Sequence, residues 1–141
     1  MEADSQVRKF AMKFARYLFL FAGISGLLAV LPLYFLEARI GKEQPPAITH
    51  PEFYYGFLGV VAAWQVGFLF IARDPGRYRL LMIPAVIEKA TYGAACVALH
   101  LGGRLSGPLL VAGSVDLALG VLFVVAFLRT APSRNRMVGG E

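Results

Sequence analysis

The sequence predicts an all-α integral membrane protein, an antiparallel four-helix bundle with both termini in the cytoplasm. Of its 141 residues, 57% are hydrophobic and 16% are charged, against about 45–50% and about 25% in soluble domains. The apolar residues fall into four blocks, and the basic residues collect in alternate polar segments between them. A transmembrane β-barrel does not fit, because the blocks lack a period-two alternation of hydrophobicity.

Each apolar block is long enough for one helix, since a hydrocarbon core about 30 Å thick takes about 20 residues. We place the spans at about 17–36, 53–72, 80–101 and 108–128, in one transmembrane domain over 17–129. The first run is interpreted as an uncleaved helix, which Pro32 kinks near its end. The segment from Glu37 to Glu52 is then a loop on the outer side.

Residues 1–16 form an amino-terminal amphipathic or cytoplasmic segment. Val7, Phe10, Ala11 and Phe14 share one helical face, and basic residues surround them. This pattern is typical of an interfacial amphipathic helix, although a plain extension of the first span explains it equally well. Residues 130–141 are polar and are predicted to be a mobile cytoplasmic tail.

The distribution of basic residues sets the orientation. On one side of the predicted membrane lie Arg8, Lys9, Lys13, Arg16, Arg73, Arg77, Arg79, Arg129, Arg134 and Arg136, and on the other Arg39, Lys42 and Arg104. By the positive-inside rule, both termini are cytoplasmic. The net charge of +5 therefore favours an anionic lipid surface as partner and gives no indication of nucleic acid.

Charged and polar residues inside the spans are the main candidates for a site. An ionisable side chain near the bilayer centre costs about 2.5 to 3.5 kcal/mol on insertion scales and usually faces protein or water. At about 1.5 Å per residue, Lys89 lies about 16 Å deep, Gln65 about 18 Å and Asp116 about 12 Å. Glu88 shares this layer, and Trp64 lies beside Gln65 rather than at an interface.

The spacing of these residues predicts how they pair. Neighbouring residues on a helix diverge by about 100°, so we expect Glu88 and Lys89 to need separate partners. Lys89 is predicted to pair with Asp116, and Gln65 to hydrogen-bond Glu88. The candidate ligand-binding residues are Trp64, Gln65, Glu88, Lys89, Tyr92 and Asp116.

A structural interpretation of the polar layer remains open beside the functional one. Interhelical hydrogen bonds and small residues hold helices together in lipid, so the layer fits a polar clamp as well as a ligand or proton site. Two stripes of small residues are predicted to pack against other helices. They are Gly59, Ala63 and Gly67 on the second span, and Ala112, Asp116 and Gly120 on the fourth.

The sequence leaves three functions open. The first is a non-catalytic protein that binds a lipid-like or quinone-like molecule in a midplane polar pocket, as accessory subunit of a larger membrane complex. The second is a small proton-coupled transporter or channel-like carrier, in which a homo-oligomer supplies the pathway. The third is a structural assembly factor. No catalytic motif, required cofactor or metal-ligand spacing is present, and Cys96, the single cysteine, is interpreted as a packing residue.

The layout resembles the DoxX-like group of small four-helix proteins of the bacterial inner membrane. The resemblance covers about residues 15–129. It is carried by the four spans, the carboxyls of Glu88 and Asp116, and the segment His50-Pro51-Glu52-Phe53-Tyr54-Tyr55-Gly56. It implies a multi-pass inner-membrane protein, with links to quinone-coupled sulfur oxidation or membrane redox complexes in some members. A fainter resemblance to the sterol-binding EXPERA domain involves Pro51, Phe53, Gln65 and Pro84, but the second span lacks that family's acidic residue.

Overall fold

The computed structural model describes residues 2–105 and 107–131, and this part of the chain contains helices and no strand. The α-helices are α1 (Glu2–Val30), α2 (Glu37–Glu43), α3 (Pro51–Arg73), α4 (Met82–Leu101) and α5 (Gly107–Arg129). Short 3₁₀ helices cover Leu31–Phe35 and Arg79–Leu81. The predicted mobile tail lies outside the described residues except for Thr130 and Ala131.

Four of these helical segments are long and apolar enough to cross a membrane. They are Ser5–Phe35, Pro51–Arg73, Arg79–Leu101 and Gly107–Arg129, and each corresponds to one predicted span. The all-helical class is thereby confirmed, and the chain has the helices of a multi-pass membrane protein. Lipid offers the backbone no hydrogen-bond partners, so a segment that crosses the membrane must pair its own N–H and C=O groups, as a helix does. Long apolar runs therefore predict helices.

The first helix departs from the predicted boundaries at both ends. It is continuous from Glu2 to Val30, so no break in the helix separates residues 2–16 from the first span. The α-helix ends at Val30, and Pro32 lies in the 3₁₀ turn that follows. The loop predicted from Glu37 onwards is wrong in its first part, because α2 forms there with Arg39 and Glu43 paired at 2.7 Å. A pair four residues apart stabilises a helical turn.

The long helices pack in a definite order of neighbours. Helix α1 lies against α3 and also touches α5, and α5 packs along α4, whereas α3 and α4 touch at few points. An aromatic core joins the two helix pairs. The ring centroids of Phe19 and Phe123 are 4.1 Å apart, and Phe68 lies 5.2 Å from Phe123. All three side chains are fully buried, so this core holds the α1–α3 pair to the α4–α5 pair.

Glycines set the closest helix contacts. A Cβ added at Gly23 would lie 2.9 Å from the backbone oxygen of Gln65 on α3. A Cβ added at Gly93 would lie 2.8 Å from the backbone oxygen of Gly113 on α5. In lipid, apolar burial gives helices little reason to associate, and the close approach that small residues allow takes its place.

Candidate functional site

A charge cluster joins α4 to α5. The Nζ of Lys89 donates to Oδ1 and Oδ2 of Asp116 at 3.0 and 3.2 Å, which confirms the predicted pair between the third and fourth spans. The same Nζ donates to Oε1 of Glu88 at 3.4 Å. One ammonium therefore serves two carboxylates from two helices.

The expectation that Glu88 needs a separate partner is wrong. The four-carbon stem of Lys89 lets its Nζ lie within reach of the neighbouring carboxyl although the two Cβ atoms diverge. Oε2 of Glu88 is also 3.4 Å from Nζ, but it is buried and accepts no hydrogen bond. The contact between Nζ of Lys89 and Oε2 of Glu88 is thus ionic and is not a hydrogen bond. The hydrogen-bonding capacity of Oε2 is left unsatisfied.

The cluster is largely shielded from its surroundings. The side chains of Lys89, Glu88 and Asp116 are 8%, 18% and 19% exposed. The ring centroid of Phe68 lies 5.5 Å from Nζ, so α3 contributes a cation–π contact. Two carboxyl groups share one ammonium, so the cluster carries one formal negative charge in excess when both carboxyl groups are ionised. Such an excess is unfavourable in a low dielectric unless another positive or donor group compensates it.

Glycine positions make the pair possible. A Cβ at Gly120 would lie 3.3 Å from the Cβ of Lys89, so the fourth helix passes close to the lysine stem. Gly93 and Gly113, one turn away from Lys89 and Asp116, also face each other closely, since a Cβ at Gly93 would lie 2.8 Å from the backbone oxygen of Gly113. The short distance between the helix axes lets Lys89 reach Asp116 across the interface.

Gln65 is buried but belongs to another contact. Its Nε2 donates to the backbone oxygen of Val61 at 3.3 Å, and its side-chain amide lies directly against Gly26 of α1. The hydrogen bond predicted between Gln65 and Glu88 is therefore absent. The residue faces α1 because α3 packs along α1 and hardly touches α4.

Trp64 and Tyr92 lie along the sparse contact between α3 and α4. Trp64 forms one wall of a shallow apolar groove of about 260 Å³. The groove is lined by Val60, Ala63, Trp64, Gly67, Ile71 and Leu81. Further along, the rings of Tyr92 and Phe57 stack at 6.3 Å. The groove thus opens beside α4 without including the charged residues.

Glu88 lies on α4 between two positions that are close to α3. Leu81, in the 3₁₀ turn that precedes α4, lines the groove. Tyr92, one turn beyond Glu88, touches α3 through Phe57. Glu88 itself is not among the residues that line the groove.

The structure brings together only part of the predicted site. Glu88, Lys89 and Asp116 form one cluster, Tyr92 lies one turn from Glu88, Trp64 lines the groove, and Gln65 packs on α1. Of the stripe predicted on the second span, Gly59 approaches Tyr34 in the 3₁₀ turn after α1, whereas Ala63 and Gly67 line the open groove and do not form a helix contact there. On the fourth span, Gly120 does pack against α4.

The packing residues missed by sequence reasoning include Gly23, Gly26, Gly93 and Gly113. Each lies in an apolar run, and a Cβ added there would contact a residue of the neighbouring helix. Glycines in such runs were the available signal. It was insufficient because the sequence does not tell which helix each glycine faces.

The two histidines take part in local contacts. Nδ1 of His50 lies 3.2 Å from Glu52, and Nδ1 of His100 lies 3.1 Å from the backbone oxygen of Leu105. Within residues 2–105 and 107–131, no three potential metal ligands are gathered.

The fold and site define a class: a multi-pass helical membrane protein with a buried, unevenly balanced charge cluster between two helices. No family model, curated protein or solved structure matches this chain.

Proposed function

We propose that this chain is a non-catalytic protein of the bacterial inner membrane that binds a lipid-like or quinone-like amphiphile between α3 and α4. It would act as an accessory subunit of a larger membrane complex. The spans would form an antiparallel bundle with cytoplasmic termini, as the basic residues indicate. The proposal includes membership of the DoxX-like group, on the residues that carry that resemblance.

The observation that carries the proposal is the unsatisfied Oε2 of Glu88. A buried acceptor without a partner costs about 1 to 3 kcal/mol, and more when it is charged. A bound polar group would remove this cost, and such a group is also what an apolar groove needs to fix a ligand's orientation. The groove beside Trp64 offers its apolar wall to a tail or ring.

The single tryptophan provides the test. Purified protein in nanodiscs is titrated with decylubiquinol, whose hydroxyl groups can donate to Oε2 of Glu88, and emission from Trp64 is recorded. We expect saturable quenching beyond that of a free tryptophan analogue in the same nanodiscs. Glu88→Gln should weaken the half-saturation by about ten-fold, about 1.4 kcal/mol, while Glu43→Gln, an exposed carboxyl on α2, should leave it unchanged. Quenching that rises linearly and is identical in all three proteins would remove the proposal.

The proposed orientation has its own test. A reporter enzyme that is active only outside the cytoplasm is fused after residue 131 or inserted near Lys42, in the predicted outer segment. The proposal expects activity from the insertion near Lys42 alone. The opposite pattern would invert the topology while leaving the ligand proposal to be judged separately.

A small proton-coupled carrier is the second candidate. It is favoured by the two buried carboxyl groups that share one ammonium between α4 and α5, next to the sparse contact between α3 and α4. Proton flux into proteoliposomes that disappears in Glu88→Gln would support it.

A structural assembly factor instead predicts that the double variant Lys89→Met and Asp116→Leu keeps both fold and function. Isolation of native complexes in mild detergent would then identify the subunit that the chain supports.

A further inference from the structure

Apolar side chains repeat along the uncovered side of α1 at alternating intervals of three and four residues. The series is Val7, Phe10, Phe14, Tyr17, Phe21, Ile24, Leu28 and Leu31, and it ends in the 3₁₀ turn that follows α1. Each of these side chains is between 48% and 71% exposed, apart from the half-buried Phe14. The residues of α1 that are buried in the bundle, such as Ala15 and Phe19, fall outside the series. The described part of the chain therefore leaves one long apolar face of α1 largely uncovered.

Part of this face extends past the rest of the bundle. A Cβ at Gly76, in the turn after α3, would lie 3.2 Å from Cε of Met12, so this turn meets α1 at the level of Met12. The turn carries an aspartate and an arginine, which places it at or outside the membrane surface. Val7 lies a further 7 Å or so, about five residues, along the axis of α1. Because α1 is unbroken from Glu2 to Val30, its first turns cannot lie flat on a membrane that its later turns cross. Lipid covers the part of the face that lies in the span, but it does not cover Val7 and Phe10.

We infer that a second copy of this chain covers this face, so that two α1 helices pair in parallel as a coiled coil that continues beyond the membrane. Alternating steps of three and four residues are the spacing of the a and d positions, which form the seam of a left-handed coiled coil. The series keeps this spacing from Val7 to Leu31 without interruption. The inference goes beyond the proposed function and does not depend on it, since the described lining of the groove includes no residue of α1.

A second copy fits this face because it brings an identical face at the same depth. Two copies inserted into the membrane in the same direction place their α1 helices parallel, so each residue of the series meets its own counterpart across a two-fold axis. Val7 and Phe10 then pack against their counterparts outside the membrane, where a partner helix without a matching extension would leave them in water. This pairing removes apolar surface from water, which is favourable.

The charged residues of α1 do not oppose this pairing. Arg8, Lys9, Lys13 and Arg16 all fall between the positions of the series, and all four are exposed. Only Lys13 flanks the seam, at a g position, and in a parallel pair a g position faces the e position of the next heptad on the other helix. That e position is occupied by Leu18. No two like charges therefore meet across the seam.

Disulfide scanning tests the geometry of the pair. Cysteine replaces each residue from 6 to 17 singly, in a Cys96→Ala background, and membranes that contain the protein are treated with a mild oxidant. A disulfide requires Cα atoms less than about 7 Å apart, which a parallel pair provides at the positions of the series. We expect the yield of cross-linked dimer to peak at Val7, Phe10 and Phe14 and to be about ten-fold lower at Lys9, because the Cα atoms of that position are turned away from the seam.

The strength of the association gives a second test. Copies labelled with a donor or an acceptor dye at Lys42→Cys, in the same background, are mixed in liposomes, and energy transfer is recorded over a range of protein-to-lipid ratios. Tyr17 and the residues beyond it gain little from leaving lipid, so the association should depend mainly on Val7 and Phe10. We expect the double variant Val7→Ser and Phe10→Ser to need at least about ten-fold more protein per lipid for half-maximal transfer. Lys9→Ser, at an exposed position outside the series, should behave like the parent protein, and helical circular dichroism checks that each variant folds.

Three outcomes would overturn the inference. Equal cross-linking at all scanned positions would show that copies collide without a defined contact through α1. Energy transfer that is absent at every protein-to-lipid ratio would show that the chain does not pair with itself, and would leave Val7 and Phe10 to a different protein. Unchanged transfer in the double variant would place the contact between copies on another face. None of these results alters the expected quenching of Trp64, so this inference and the proposed function fail separately.

Discussion

The ammonium of Lys89 and the carboxylate of Asp116 lie 3.0 Å apart across the α4–α5 contact, with Lys89 almost fully buried. Among the described side chains, this ammonium is the only cation that pairs with Glu88. Loss of this single group would leave two buried carboxylates without a counter-charge. The pair therefore supports the cluster as well as the helix contact.

Removal of the cation should destabilise the protein strongly. We expect Lys89→Met to lower the free energy of unfolding by about 3 to 5 kcal/mol, the usual cost of breaking a buried pair from one side. Adding Asp116→Leu should recover a large part, because the second uncompensated charge disappears. The measurement is reversible unfolding in mixed micelles, followed by helical circular dichroism.

The matched control for that experiment is Lys42→Met, which removes an exposed lysine and should have almost no effect. If the double variant is as unstable as Lys89→Met, the interaction between Lys89 and Asp116 contributes little. The role of Lys89 would then lie in its contact with Glu88 and Phe68.

A methyl group at Gly113 should separate α4 from α5. A Cβ there would lie 2.9 Å from Sγ of Cys96 and still closer to its Cβ. We expect Gly113→Ala to cost about 1 to 3 kcal/mol, the usual penalty for overpacking. Gly107→Ala, on the same helix with nothing within 4 Å, is the control. Equal stability of both variants would show that the two helices adjust freely at this contact.

The contact between Gly26 and Gln65 should behave as a size-matched pair. We expect Gly26→Ala to destabilise the α1–α3 contact by about 1 to 3 kcal/mol, because the amide of Gln65 fills the space. In a Gln65→Ala background, the same change should be tolerated. The check is a double-mutant cycle, with Gly56→Ala as control since nothing lies within 4 Å of Gly56. Additive effects would contradict this pairing.

Arg79 should hold the end of α5. Its Nε donates to the backbone oxygen of Phe127 at 3.1 Å, and its guanidinium lies 3.7 Å from that ring's centroid. The last carbonyls of a helix lack partners within the helix. We expect Arg79→Ala to cost about 1.5 to 3 kcal/mol, as for hydrogen bonds to charged groups. Arg79→Lys should recover only part, because an ammonium does not stack as a planar group does.

Unfolding in the same micelles measures the effect of Arg79, and Arg73→Ala, an exposed arginine at the end of α3, serves as control. A loss of stability as large in Arg73→Ala would indicate a general effect of positive charge at this end. The specific contact with Phe127 would then not be needed to explain the result.

Helix neighbours were the part of the fold that sequence patterns failed to predict. All four spans are apolar on most faces, so periodicity did not reveal that α3 packs along α1 and hardly touches α4. The predicted hydrogen bond from Gln65 to Glu88 was wrong for that reason. The open groove beside Trp64 has the same origin, since Ala63 and Gly67 of α3 line it and do not contact a neighbouring helix there.

By itself the sequence determined the helical class, the four apolar segments and the pair between Lys89 and Asp116. The class and the segments follow from run length and backbone hydrogen bonding, and the pair follows from the similar depths that the rise per residue gives the two side chains. Only the tertiary structure decided that one ammonium serves both carboxylates and that one oxygen of Glu88 stays unpaired. The physical reason is that helix contacts in lipid depend on the shape of facing surfaces, above all on where glycines let two backbones meet.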